Sequence, residues 1–489
     1  MKIKSLHWKS ILFYLTVVIT VFMIMNGTYL PMVDLPQHAA QVATLDDLLK
    51  NQSIWGHLVE TNFKTPYLVG YFSWLFIYQF FDILTSSKIF ISIIFLIFVY
   101  AFDRLRKTLN ASALVSWIAI PSFFGFCYEW GFVTFLLATA IGLLFFTANI
   151  KWVNQRKKYQ SIFIILLGIF LFFSHVLSFV FFCLLSFVYI AVNVKSIKPL
   201  LNFIPAYFIF FLLLVFYLTR ADSLSVHYSY GADVKFHSLL EKIKNLVVYP
   251  WSGFNAQYLE SLFLILVPFL AGYKLSNNVP RFIPLIVFLF VWLSLPHFLY
   301  NTFFIYERYS ILFFGFYYLI FDEETEFKYH NFSFAIIFVL IASLLVNDYK
   351  SIIFAKKETQ DFEAIIEKLP IKKRVLGAVF EPTGASIGIP FTYVHFASWY
   401  QAQKQGWSDF NFAWFHPQII RYTSATVPEV KPNFEWMPHQ LQKLETCQNY
   451  DLIFIRAYDA SFSYVVLNSQ CKNYKIIAQQ GAWFVLSKN

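Results

Sequence analysis

Two side chains in the segment Val33-Asp34-Leu35-Pro36-Gln37-His38 could do chemistry together. Asp34 and His38 are four residues apart, so a helix would put a carboxylate and an imidazole on one face, one turn from each other. An acid in a partly desolvated site can orient an acceptor hydroxyl or take its proton as a general base. The imidazole could tune that acid or bind a phosphate. A structural role competes, because Asp34 and Gln37 fit a capping box with Pro36 in the first helical turn.

Further candidates lie along the chain. Glu129, in Phe126-Cys127-Tyr128-Glu129-Trp130-Gly131, stands between two apolar runs. An acid at membrane depth is costly and usually functional, whereas a short wet loop would carry it at little cost. His175 occupies the turn between two apolar helices, where capping or packing accounts for it as well as ligand binding does. Arg308, in Tyr306-Glu307-Arg308-Tyr309, needs an anionic partner. Glu307, a lipid headgroup or a phosphate would serve, and the planar guanidinium fork suits the last. Arg220 is a similar candidate. It opens a polar, aromatic loop through Asp222, His227, Tyr228, Tyr230, Asp233, Lys235 and His237 that could contact sugar rings and hydroxyls. Asn301 joins this set. No metal ligands are assigned, and a divalent cation is left open.

The elements that must hold these groups follow from composition. Of 489 residues, 58% are hydrophobic and 13% charged, with 61 Phe and 30 Tyr. Soluble domains carry roughly a quarter charged residues, so this chain reads as a polytopic α-helical membrane protein. The net charge of +10 does not point to nucleic acid. The basic residues cluster between apolar runs, at Lys2, Lys4 and Lys9, at Arg104, Arg106 and Lys107, at Lys151 to Lys158, and at Lys195 and Lys198, as cytoplasmic loops do. The N-terminal run has a basic start but no small-residue cleavage site, so it reads as a retained first span.

Apolar runs fall at 11–30, 67–84, 88–103, 111–126, 131–149, 160–174, 177–192, 200–219, 258–273, 282–299, 307–321 and 332–346. If all of them crossed, the basic clusters would lie outside. Laying 67–84 in the interface restores the charge rule, and its Tyr67, Tyr71, Trp74 and Tyr78 suit headgroup depth. About eleven spans then remain. Residues 1–346 form the transmembrane part, with an outer loop at 31–87. Asp34, His38, Glu129, His175, Arg220 and Arg308 gather on the outer face. The runs 160–174 and 177–192 are short for a crossing of about 20 residues.

Residues 347–489 read as a soluble α/β domain outside the membrane. Helices are expected over 361–369, 393–403 and 436–447, and strands over 374–380, 451–455, 474–478 and 483–486. Cys447 and Cys471 could pair there; two free thiols are equally open.

This layout resembles the GT-C class of integral membrane glycosyltransferases, which includes protein O-mannosyltransferases and the lipid A aminoarabinose transferase. The resemblance rests on a first span followed at once by a large outer loop bearing an acid, here Asp34 in Asp-Leu-Pro-Gln-His. Interfacial residues 67–84, a second acid at Glu129, about eleven spans and a C-terminal outer domain complete it. Asp34 has no acid beside it, unlike the paired acids that several members carry in the first loop. The resemblance implies transfer of a sugar from a polyprenyl-phosphate donor to a glycan, lipid or protein acceptor, at the outer face of a bacterial inner membrane, with the C-terminal domain periplasmic. It makes Asp34 the base or acceptor-orienting group, with Glu129 beside it as a catalytic acid. Arg308 would hold the donor phosphate, helped by His38, with His175, Arg220 and Glu307 as further substrate-binding groups. A flippase or lipid-linked-sugar transporter would instead show repeats and mid-membrane charges. An O-antigen-type polymerase would show an Arg-rich central loop, and 220–257 contains one Arg. A non-catalytic scaffold is the remaining reading.

Overall fold

The computed structural model describes residues 2–155, 158–194, 201–221, 234–252, 258–299, 302–323, 330–386, 389–415, 417–423, 425–426, 428, 430–445, 447–459 and 462–488. These form two compact units. One is built from residues 1–25, 91–220 and 230–350, the other mainly from 26–90 and 351–489. Residues 26–90 therefore fold with the C-terminal stretch.

The first unit is helical. Five helices among the described residues are long and apolar enough to cross a membrane: Trp8–Asn26, Ile83–Thr108, Val133–Gln155, Val176–Asn193 and Asn331–Lys368. Each of the other apolar runs outside 67–84 also contains helix, but shorter. Proline explains part of the shortening. Pro121 lies inside Leu114–Ser122 and Pro268 inside Tyr258–Leu270, where a ring without an N–H interrupts the ladder. The 307–321 run is a 3-10 turn, Glu307–Leu312, followed by the helix Phe313–Leu319. The basic end of Ile83–Thr108 is partly neutralised, as Asp103 pairs with Arg106 at 2.8 Å and Lys107 at 2.5 Å.

In the second unit, residues 67–84 contain the helix Leu68–Tyr78 of 11 residues. At 1.5 Å per residue that is about 16 Å, too short for a hydrocarbon core of about 30 Å. Tyr71 and Trp74 are buried while Phe72 and Phe76 are exposed.

A five-stranded sheet centres this unit, in the order Tyr474–Gln480, Trp483–Lys488, Leu452–Arg456, Arg374–Val379 and Trp407–Asp409. The last three strands run parallel and the others antiparallel, the α/β arrangement expected. Val59–Thr61 from the first loop pairs antiparallel with Ile420–Tyr422. Cys447 and Cys471 are joined as a disulfide, with Cα atoms 5.2 Å apart. Two helix boundaries differ from expectation. The helix Ala397–Lys404 ends at Gln405, which is left-handed (φ 53°). Gly406 follows where a Cβ would lie 2.8 Å from the Lys373 carbonyl oxygen. The expected 436–447 helix is the 3-10 turn Pro438–Lys443.

Candidate active site

Asp34 opens the helix Leu35–Leu49, but its side chain does not cap it. Its own backbone is already helical (φ −91°, ψ −6°), whereas a capping side chain needs an extended residue. The capping-box reading of Asp34 and Gln37 is therefore overturned, and both side chains are committed elsewhere. Asp34 is 8% exposed, and its Oδ1 lies 3.4 Å from Nε2 of His395.

Gln37 fixes which proton faces Asp34. The Phe412 backbone N–H donates to Gln37 Oε1 at 3.0 Å, so the Gln37 amide nitrogen faces the other way. That nitrogen lies 3.3 Å from His395 Nδ1 and 3.4 Å from the Phe410 carbonyl oxygen. An NH2 beside Nδ1 makes Nδ1 the acceptor, and the ring then carries its hydrogen on Nε2, toward Asp34. Glu435 borders the same pair. Burial pushes its carboxyl up to about 7, while His395 opposes the shift and Asp34 adds to it. Its buried Oε2 has no partner among the described residues.

His38 leads a second chain of hydrogen bonds. Its Nδ1 is 2.8 Å from the Tyr71 hydroxyl, which in turn donates to Gln418 Oε1. The Tyr71 oxygen thus accepts from His38. Burial, then Tyr67 and Asp34, push the Tyr71 phenol well up, which keeps it a neutral donor. One turn further, Gln41 Oε1 accepts from the Ile420 backbone N–H at 2.8 Å, and Gln401 donates to Thr44 at 2.9 Å. Gln37, Gln41 and Thr44 form one helical stripe, and it faces the 401–420 region of the α/β unit rather than water.

The remaining sequence candidates belong to the other unit. Glu129 sits in the helix Phe126–Trp130 and is buried. Its Oε1 accepts from Ser252 Oγ at 2.8 Å. Two glycines shape this turn. A Cβ on Gly125 would stand 2.3 Å from the Pro250 carbonyl oxygen, and Gly131 (φ 86°) ends the helix in a left-handed conformation. The short-wet-loop alternative for Glu129 does not fit this burial. His175 has the capping role: its Nδ1 accepts from Leu177 N–H at 3.2 Å at the start of Val176–Asn193.

Arg308 donates from Nε and Nη2 to the carbonyl oxygens of Phe304 (3.1 Å) and Phe303 (3.2 Å), and its guanidinium lies 3.7 Å from the Phe132 ring centre. Glu307 is fully buried and bonds His297 and approaches His237, so the neighbour-pair account of Arg308 fails. The side chains of Arg220, Asp222, His227, Tyr228, Tyr230, Asp233 and Asn301 lie outside the described residues.

His395 and Glu435 were missed from sequence. His395 stands in Thr392-Tyr393-Val394-His395-Phe396, before a helix of an ordinary soluble domain, with no spacing that ties it to Asp34. The legible signal was the polar stripe Gln37, Gln41 and Thr44, which needed a polar partner.

The fold is GT-C-like. ArnT from Cupriavidus metallidurans bound to undecaprenyl phosphate superposes with a TM-score of 0.53 at 8% identity, covering 98% of this chain and 97% of that one. The same enzyme in the apo state gives 0.52 at 10% identity over 99% and 98%. The arabinofuranosyltransferase AftD from Mycobacteria gives 0.52 at 10% identity over 97% of this chain and 39% of its own. No protein-family model matches the chain, and no curated protein matches it in sequence.

Proposed function

We propose that the protein is a membrane glycosyltransferase that moves a sugar from a polyprenyl-phosphate-linked donor to an acceptor hydroxyl at the outer face of a bacterial inner membrane. About eleven membrane segments would carry the chain, with residues 351–489 periplasmic. The single observation that carries the reading is Asp34: a buried, ionisable first-loop acid that caps nothing and is met by a histidine of the α/β unit. The whole-chain likeness to ArnT, which was solved with undecaprenyl phosphate, supports the donor class.

In the reaction, the acceptor hydroxyl gives its proton to Asp34 as its oxygen bonds the anomeric carbon. The bond from that carbon to the phosphate oxygen breaks, and polyprenyl phosphate leaves with the electron pair. His395 Nε2–H holds the carboxylate in one orientation before transfer, which lowers the reorganisation needed at the transition state. His38, Tyr71 and Gln418 form a hydrogen-bonded chain that ties the loop helix to the α/β unit. Arg308 is assigned to the leaving phosphate, for which its fork is suited. Glu129 is assigned as a second catalytic acid. No cofactor is assigned to this displacement, and a divalent cation at the site is left open.

The test is labelled-sugar transfer by the purified protein in vesicles, offered a panel of polyprenyl-phosphate sugars. Release of polyprenyl phosphate coupled to product supports the reading. Movement of intact labelled lipid between leaflets, without cleavage, would make it a transporter instead.

A further inference from the structure

In the helical unit, a small three-stranded sheet joins Val234–Lys235, Phe298–Leu299 and Thr302–Phe303. It brings together three residues from distant parts of the chain. His237 follows the first strand, His297 precedes the second, and Glu307 opens the 3-10 turn after the third. Backbone bonds hold this register: His297 N–H donates to the Lys235 carbonyl oxygen at 2.8 Å, and Ile305 N–H to the His297 carbonyl oxygen at 3.2 Å. One ligating atom from each of the three side chains lies within 4.8 Å of the others.

The polar bookkeeping of this cluster is incomplete. Glu307 has no exposed surface. Its Oε1 bonds His297 Nδ1 and lies 3.6 Å from His237 Nδ1. Its Oε2 has no partner among the described residues. A buried carboxylate oxygen left bare is costly. Asn245 donates to the Tyr306 hydroxyl at 2.8 Å, which leaves that hydroxyl to give its proton to His237 Nδ1, also at 2.8 Å. His237 Nδ1 then accepts from Tyr306 and also lies 3.6 Å from Glu307 Oε1. The two imidazoles are stacked, ring centres 4.1 Å apart, which disfavours charging both. Lys242, a nearby cation, spends its ammonium on the Leu293 and Leu295 carbonyl oxygens at 2.7 Å each.

We propose that His237, His297 and Glu307 bind a divalent transition-metal cation of the zinc type. Two imidazole nitrogens and one carboxylate oxygen are the ligand set such a cation prefers, at about 2.0–2.2 Å, and three protein ligands leave a fourth position for solvent. Magnesium is disfavoured, because it takes oxygen ligands and keeps its water. The rings must turn slightly out of their stack to converge, and the cation replaces the proton shared by His297 and Glu307. Tyr306, which bonds the same Nδ1 of His237, turns its hydroxyl proton away when that nitrogen takes the cation, while Asn245 keeps donating to the Tyr306 oxygen. The cation staples the 234–238 segment to the paired strands Phe298–Leu299 and Thr302–Phe303 and fixes the turn that begins at Glu307 and carries Arg308. The inference does not rest on the transfer reaction.

The test uses the full-length protein in detergent, stripped with chelator and dialysed against Zn2+ alone, with metal counted by mass spectrometry. The account expects one tightly held zinc per chain, a rise in Tm of several degrees on adding Zn2+, and no such rise with Mg2+. His237→Ala, the partly exposed ligand, is expected to weaken zinc binding at least tenfold with an unchanged size-exclusion profile. His57→Ala, in the other unit, is expected to leave it intact. No stoichiometric zinc on the wild type overturns the proposal. So does zinc retained equally by His237→Ala and His297→Ala, which would mark adventitious binding.

Discussion

His395 Nε2 stands 3.4 Å from Asp34 Oδ1, and Gln37 sets the tautomer that leaves the ring hydrogen on that nitrogen. The acid that opens the first loop is thus held by a residue near the far end of the chain.

This pairing makes His395 a positioning residue, and its loss should appear in turnover rather than in donor binding. For His395→Gln, which keeps a donor of similar reach, a small fall in kcat is expected. For His395→Ala the fall should be about 10²-fold or more, with KM for the donor little changed. Steady-state transfer kinetics on both variants check this, and equal losses in the two would argue against a role for the directed hydrogen.

Gln41 tests the docking of the loop helix. Its Oε1 takes the buried Ile420 N–H. Gln41→Leu leaves that donor unpaired, at a cost of about 1–3 kcal/mol. A lowered Tm of the purified protein is the expected readout, while an unchanged Tm would mean the stripe does not hold the helix.

Glu435 predicts a pH dependence of stability. Burial holds its carboxyl at about 7 against an ordinary 4.5. Between those values the folded protein keeps a proton that the unfolded chain loses. Its contribution to stability is therefore full below 4.5 and falls as pH rises toward 7. Denaturation across this window should show a decline with pH that Glu435→Gln flattens. The same decline in wild type and variant would contradict the assignment.

Arg308→Lys keeps the charge and loses the fork. If Arg308 grips a phosphate, the donor KM should rise roughly tenfold, about 1.4 kcal/mol, with a smaller change in kcat. An unchanged KM would remove Arg308 from donor binding.

The fold class was legible because hydropathy and basic clusters are one-dimensional signals. Tyr67, Tyr71, Trp74 and Tyr78 suggested an interfacial place for 67–84, and the helix there has 11 residues. The strands at 374–379, 452–456, 474–480 and 483–488 were visible as β-branched and aromatic runs. Asp34 was visible as an acid beside the first span. Its environment was not, because a capping box is a local pattern and tertiary partners overrode it: Gln37 turned to Phe412 and His395 instead of the helix end. Glu307 misled for the same reason. Adjacency suggested Arg308 as its partner, while sheet pairing delivered His237 and His297. Such pairings depend on strand register between segments far apart, which spacing along the chain does not encode.

The central claim is that Asp34 takes or orients the acceptor proton. The most direct measurement is single-turnover transfer of a labelled sugar from a polyprenyl-phosphate donor, comparing wild type with Asp34→Asn. The variant keeps the size and hydrogen-bonding reach of the side chain but removes its basicity. The account predicts a fall of about 10²–10⁴-fold in the transfer rate, with donor binding retained. Transfer at the wild-type rate by Asp34→Asn would contradict it.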